Sequence, residues 1–305
     1  MADERRQFAF EELTFLLAGL ERIGRPCVMM GGQAVCYWAR RYLPFEPALQ
    51  EMARISEFVS KDVDFQGGLE AALAFARTMD CKLQAPSFRD AFGNLMSGKF
   101  SLGVGGASLH VEVLRKVPGL SLNEVTKFAS VEAFGNFTVR VLNPIALMKA
   151  KSWNVVNIHK EGRHDSEQLL ALVVCVRAFI KMLLEFAGTD HGRLRGALNL
   201  IEQTLRFTEL PAGRKTAEKC GLDWAQILPH AHIAASKQPE MIRLREKRLP
   251  DWLAHITAYK CAKQANETHR RMLEILAQHA EPLCVQPAAA RRSSRLTPHA
   301  SHIRP

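Results

Sequence analysis

No stretch of this 305-residue chain is apolar for long enough to cross a bilayer, which takes about 20 consecutive residues as a helix. The N-terminal segment MADERRQFAFEEL is charged and lacks the apolar centre of a secretory signal. The expected setting is therefore cytoplasmic, with no membrane partner. The seven cysteines (Cys27, Cys36, Cys81, Cys175, Cys220, Cys261 and Cys284) include no CxxC pair. A disulfide scaffold and a cysteine-bound zinc site are not expected, and the thiols read as reduced filler. Aromatic residues make up only 8% of the chain and form no strand motif of the kind that stacks on single-stranded nucleic acid. No G-x-S-x-G elbow surrounds Ser108 or Ser121, which removes serine hydrolysis. No internal repeat is found. Acidic residues are the scarcer charge, 31 against 41 basic, for a net charge of +10. That balance suits a polyanionic partner such as RNA or a phosphorylated small molecule, without choosing between them, and it also serves plain solubility.

What is present is enough apolar content, 47%, for a sizeable core. The spacing of Phe8, Leu13, Leu16, Leu17, Leu20 and Ile23 predicts a helix over 8–23, stopped by Gly24 and Pro26. Cys27–Met30 reads as a short buried strand that runs straight into Gly31-Gly32, and 33–42 as a helix. Residues 43–60 read as an irregular or partly helical insertion, 59–65 as a second strand and 69–79 as a helix. Glycines at 98, 103, 105 and 106 punctuate a hairpin-like region. Strands are expected over 107–114 and 136–142. After Pro144 helical periodicity takes over to about residue 280. The expected fold class is α/β (α+β): a small mixed-sheet domain over 1–143, a helical domain over 144–285, and a basic, disordered tail over 286–305.

The chemistry concentrates in Lys61-Asp62-Val63-Asp64-Phe65. On a strand, Asp62 and Asp64 project from one face while Val63 and Phe65 point to the other. Two adjacent carboxylates repel, and burying them together is costly without a cation. Oxygen ligands of this kind suit Mg²⁺ or Mn²⁺. In His110-Val111-Glu112-Val113-Leu114, a neighbouring strand offers Glu112 as a third carboxylate, and three such groups hold two metal ions of the sort that clamp a phosphoryl transfer. Gly31-Gly32 opens a helix, and its bare backbone beside the helix N-terminus suits a phosphate. A glycine pair or an Asp-x-Asp alone usually marks an ordinary turn or a solvated strand end. The order strand, Gly-Gly, helix, Asp-x-Asp strand, later carboxylate is the specific signal.

That order resembles the nucleotidyltransferase superfamily with the DNA polymerase beta-like fold. The residues that carry the resemblance are VMMGGQAVCYWARRY (28–42), SKDVDF (60–65) and LHVEVL (109–114). Within it the chain is most similar to the bacterial abortive-infection (AbiEii-type) toxin nucleotidyltransferases. NPIALMKAK (143–151) resembles that group's proline-initiated helix with a functional lysine, and Gly162-Arg163-His164-Asp165 resembles its R-x-K-D segment. The resemblance covers roughly residues 8 to 180. It implies that Gly31 and Gly32 hold a nucleoside triphosphate and that Asp62 and Asp64 hold the metals. Glu112 would complete the site and activate the acceptor hydroxyl. Lys151 would contact phosphate, with Lys149 as its rival at a spacing that fits either, and Asp165 would support the lysine or the base. The implied reaction moves a nucleoside monophosphate to a hydroxyl, with tRNA or another RNA as acceptor and a cognate antitoxin as partner. The chain departs from the pattern in its long Gly32–Asp62 gap, which contains Pro44 and Pro47. It also has His164 where the group often has lysine, and Gly32 where the better-known enzymes have serine.

Rival readings attach to several residues. The His164-Asp165 pair, with His159, Asp190 and His191, suggests a metal phosphohydrolase, against solvated loop histidines. Tyr37 and Trp38 are available to stack on a base, against packing of their helix. Arg40-Arg41 suits phosphate or solvent. A non-catalytic RNA- or partner-binding module and a small-molecule (antibiotic) nucleotidyltransferase are the alternative functions.

Overall fold

Alternating apolar and polar residues build a mixed sheet at the centre of the chain, seen here in a computed structural model that describes residues 6–24, 26–87, 95–158, 164–256 and 266–285. The first part runs β1 (Phe8–Ala9), a 3₁₀ turn, α1 (Thr14–Arg22), β2 (Val28–Met30), α2 (Gly31–Tyr42), α3 (Pro47–Ile55), β3 (Val59–Ser60), β4 (Asp62–Gln66) and α4 (Leu69–Thr78). It continues through β5 (Met96–Val104), β6 (Ala107–Leu114), α5 (Leu122–Lys127), β7 (Ala129–Phe134) and β8 (Phe137–Leu142). The described remainder is helical: α6 (Pro144–Asn157), α7 (Asp165–Ala187), α8 (His191–Glu209), α9 (Pro211–Cys220), α10 (His230–Ala235), α11 (Pro239–Arg243), α12 (Leu249–Ile256) and α13 (Glu267–Gln278). This is a mixed α/β chain. The tail from residue 286, expected to be disordered, lies outside the described residues.

The six-stranded sheet has the order β5-β6-β4-β2-β8-β7, and β1 pairs with β3 in a separate ribbon. The β2–β8 and β4–β6 pairs are parallel, and the other pairs are antiparallel. Because paired residues share a face, the register aligns Val141, Met29, Phe65 and Val113 in one row. All four are fully buried. On that face Phe75 of α4 bridges Phe65 and Phe100 edge-to-face, with ring centroids 5.3 Å apart at both contacts.

Helix α6 starts where its sequence says it should. Pro144 occupies the first turn, and the Asn143 side chain accepts from the Ala146 amide at 2.9 Å, satisfying one of the donors a helix start leaves open. Helix α2 is tied to the helical part by Trp38, whose indole N–H donates to the Leu142 carbonyl at 2.7 Å and whose ring meets Phe179 of α7 at 5.7 Å.

Several boundaries differ from the sequence reading. The expected 8–23 helix is broken into β1, a 3₁₀ turn and α1, because Phe8 and Ala9 pair with Ser60 and Val59. The 59–65 strand is interrupted at Lys61, and the insertion contains the proline-initiated α3. Strand β7 has no counterpart in the reading. Its run ASVEAF lies at the sheet edge with Val131 two-thirds exposed, so it shows little of the burial pattern that marks a strand.

Candidate functional site

Strand β4 presents Asp62 and Asp64 on the face opposite Val63 and Phe65, which are fully buried. The β4–β6 register pairs Asp62 with His110 and Asp64 with Glu112, and β2 pairs Met30 with Asp64. Asp62, Asp64 and Glu112 therefore share one face of two adjoining strands. Those strands are interior, not at the sheet edge. All three side chains are half-buried and line one cleft of about 530 Å³.

Gly31 follows β2 directly and takes φ +69°, a conformation that glycine adopts at little cost and other residues rarely do. A Cβ built at Gly31 falls 1.9 Å from Asp64 Oδ2, and one built at Gly32 falls 2.4 Å from Ser60 Oγ. The space left at Gly31 is thus filled by Asp64 and that at Gly32 by Ser60. The glycines bring the N-terminus of α2 against the carboxylates. Both line the cleft, where the first amides of α2 are the donors a helix start leaves without intrahelical partners.

The opposite wall is helical. Lys151 of α6 donates to Asp165 Oδ1 at 2.8 Å, and both side chains are more than nine-tenths buried. Both line the cleft. Lys149 does not reach it. Two residues along an α-helix turn the side chain by about 200°. Lys149 accordingly lies 3.5 Å from Glu124 and over the Phe128 ring at 5.4 Å. The structure thus brings Gly31, Gly32, Asp62, Asp64, Glu112, Lys151 and Asp165 to the lining of one cleft, and Lys149 does not line it.

Other wall residues were not singled out from sequence. Ser60 donates to the Asp62 carbonyl at 3.1 Å. Lys61, Asn154 and Gln168 also line the cleft. Gln168 Nε2 stands 3.1 Å from the Cβ position of Gly32. Its signal was available: as the residue three after Asp165 on a helix, it shares Asp165's side.

The rival readings fare differently. Trp38 is fully buried and packs its helix. Tyr37 donates to Glu132 at 2.7 Å and accepts from Arg41 at 2.9 Å, while Arg41 also pairs with Glu132 at 2.8 Å. Burial, followed by the Glu132 hydrogen bond and charge, pushes the Tyr37 phenol above its ordinary pKa. Arg40 pairs with Glu11. The Asp165 carboxylate is engaged by Lys151, and exposed His191 lies 3.4 Å from Glu240, so among the described residues no second histidine–aspartate pair joins the first. His159, Gly162 and Arg163 lie outside the described residues.

The donor set is chemically suited to a hard cation: carboxylate oxygens on one face of one cleft. Among the described residues no group of three or more His, Cys, Asp or Glu side chains stands clustered ready for a metal. Mg²⁺ asks for less than that, since it commonly takes one or two carboxylates and fills its shell with water and phosphate oxygens. The residues present therefore fit Mg²⁺ or Mn²⁺ without forming a preassembled cage. Comparison with protein-family models gives no match, and comparison with curated proteins gives no significant match.

Proposed function

We propose that the chain is a metal-dependent nucleotidyltransferase that moves a nucleoside monophosphate from a nucleoside triphosphate to a hydroxyl. The observation that supports this most is the register of β2, β4 and β6. It gathers Asp62, Asp64 and Glu112 on one face, beside a glycine-opened helix and opposite a buried lysine.

In this reading Asp62 and Asp64 would hold Mg²⁺ or Mn²⁺, with Glu112 beside them, and the ion would supply positive charge against the negative charge developing on the reacting phosphate and the departing pyrophosphate. The α2 amides after Gly31-Gly32 and the Lys151 ammonium grip the outer phosphates. Glu112 accepts the proton of the acceptor hydroxyl. The hydroxyl oxygen forms its bond to the α-phosphorus, the bond from that phosphorus to the bridging oxygen breaks, and pyrophosphate leaves with the electron pair. Asp165 holds the Lys151 ammonium in place. The net charge of +10 favours a polyanionic acceptor, and the likeness to toxin nucleotidyltransferases points to tRNA, with a cognate antitoxin as protein partner.

The test is incubation of the full chain and Mg²⁺ with each α-labelled nucleoside triphosphate, total RNA, total protein and a mixture of small alcohols. Label in tRNA supports the whole reading. Label in protein or in a small alcohol keeps the reaction and corrects the acceptor. Absence of label in every fraction favours the non-catalytic binding module.

A further inference from the structure

Next to the catalytic cleft lies a second pocket of about 350 Å³. The two share Gln7, Val59, His164 and Gln168 in their walls. Its chemistry is different. The cleft holds carboxylates with Lys61 and Lys151, whereas the pocket has an apolar wall that includes Val35, Phe58 and Met272, with Glu167 set into it.

Glu167 is only 7% exposed. Its Oε1 accepts from Asn266 Nδ2 at 2.8 Å. Its Oε2 is buried with no hydrogen-bond partner. His164 Nδ1 stands 4.0 Å away, beyond hydrogen-bond reach. A buried carboxylate oxygen left unpaired costs the full desolvation of that lone pair. Glu167 lines the pocket, so a rotation of its carboxylate would bring this oxygen to a donor held there. A phosphate is the wrong ligand, because Glu57 also lines the pocket and both carboxylates repel it. A ligand with apolar faces and an N–H on its edge suits walls that pair Val35, Phe58 and Met272 with these carboxylates.

We propose that this pocket seats the base of the nucleoside triphosphate, and that Glu167 Oε2 accepts from the exocyclic amino group of an amino-bearing base. The proposal rests on the nucleotidyltransferase reading above and deepens it. The shared wall carries the argument. Glu167 and Gln168 are neighbours at the start of α7. Gln168 stands against Gly32 at the phosphate end, and Glu167 faces the pocket. In this reading a nucleotide with its phosphates at Gly31-Gly32 would extend past Gln168 to place its base beside Glu167. Phe58 lines the same pocket and would be the aromatic residue against which the base packs.

The experiment is calorimetric binding of non-hydrolysable α,β-methylene analogues of ATP, GTP, CTP and UTP to the full chain with Mg²⁺. The tightest of them is then compared with its counterpart lacking the exocyclic amino group. The wild-type chain should bind an amino-bearing analogue most tightly and its deamino counterpart about tenfold or more weakly. Glu167→Met should bind both equally. Mg²⁺-tripolyphosphate, which has no base, should bind wild type and Glu167→Met alike, which also reports that the variant is folded. Ser56→Phe, which fills the pocket from its wall, should lose the base contribution and keep tripolyphosphate binding. A preference for UTP, equal binding of the deamino counterpart by wild type, or full discrimination retained by Glu167→Met would overturn the proposal while leaving the nucleotidyltransferase reading standing. If neither the triphosphates nor tripolyphosphate bind, both are overturned together.

Discussion

Gly31 and Asp64 are packed so closely that the smallest side chain at position 31 would occupy the place of the Asp64 carboxylate, at 1.9 Å from Oδ2. The contact couples the helix-opening loop to the Asp-x-Asp strand. It assigns Gly31 a mechanical task, holding the α2 amides and the carboxylates in one cleft. Gly31→Ala should cost about 1–3 kcal/mol, from the left-handed backbone and the displaced aspartate together. Urea unfolding measures this. Transferase activity should fall with it, because Asp64 moves.

The Lys151–Asp165 pair gives a sharper prediction. Removing one partner of a buried ion pair leaves the other charge unpaired, at a cost of about 3–5 kcal/mol, whereas replacing both with apolar groups is often neutral. Asp165→Leu alone should therefore destabilise strongly, and Lys151→Met/Asp165→Leu should recover most of the loss while remaining inactive. Lys149→Met should change stability by less than about 1 kcal/mol, since the Glu124 carboxylate it loses is more than a third exposed and methionine keeps packing over Phe128, and should leave transfer near the wild-type rate. If Lys149→Met abolishes transfer and Lys151→Met does not, the assignment of the lysine is reversed.

These outcomes mark how far the sequence could be read. The shared face of Asp62 and Asp64 follows from the two-residue period of a strand, and the start of α6 from Asn143-Pro144; both were visible without coordinates. The choice between Lys149 and Lys151 was not, because it depends on which side of α6 packs against α7. Glu167 was hidden for a similar reason. An acidic residue in the first turn of a helix reads as an ordinary complement to the helix dipole, and its burial depends on packing that brings Met272 of α13 and Asn266, about 100 residues later, up to it. Strand β7 escaped because its residues are those of an exposed edge.

Thiol chemistry checks the packing around the second pocket. Burial pushes the thiols of Cys27 and Cys36 up to about 12. At pH 8 the reactive thiolate is then on the order of one part in ten thousand. Native protein treated with iodoacetamide at pH 8 should keep both unmodified while the less buried Cys81 reacts, as read by peptide mass spectrometry. In denaturant all three should react. Rapid native labelling of Cys36, which lines that pocket, would show the wall to be more open than described.

Cation binding has its own signature. An ion that binds only the folded chain stabilises it, by about 2.7 kcal/mol at a hundred times its Kd. Mg²⁺ or Mn²⁺ should therefore raise the thermal midpoint of the wild type. Asp64→Asn should lose that rise, and Lys149→Met should keep it.

The most direct test of the central claim is pyrophosphate release by the wild-type chain, Asp62→Asn and Asp64→Asn. Each is supplied with Mg²⁺, the four common nucleoside triphosphates, and RNA, protein or small-alcohol acceptors in turn. The account predicts release by the wild type with at least one triphosphate and acceptor. It predicts none above background from either variant, with both variants folded by circular dichroism. A folded, metal-supplied wild type that releases no pyrophosphate under any of these combinations, or an Asp64→Asn variant that releases it at the wild-type rate, would contradict it.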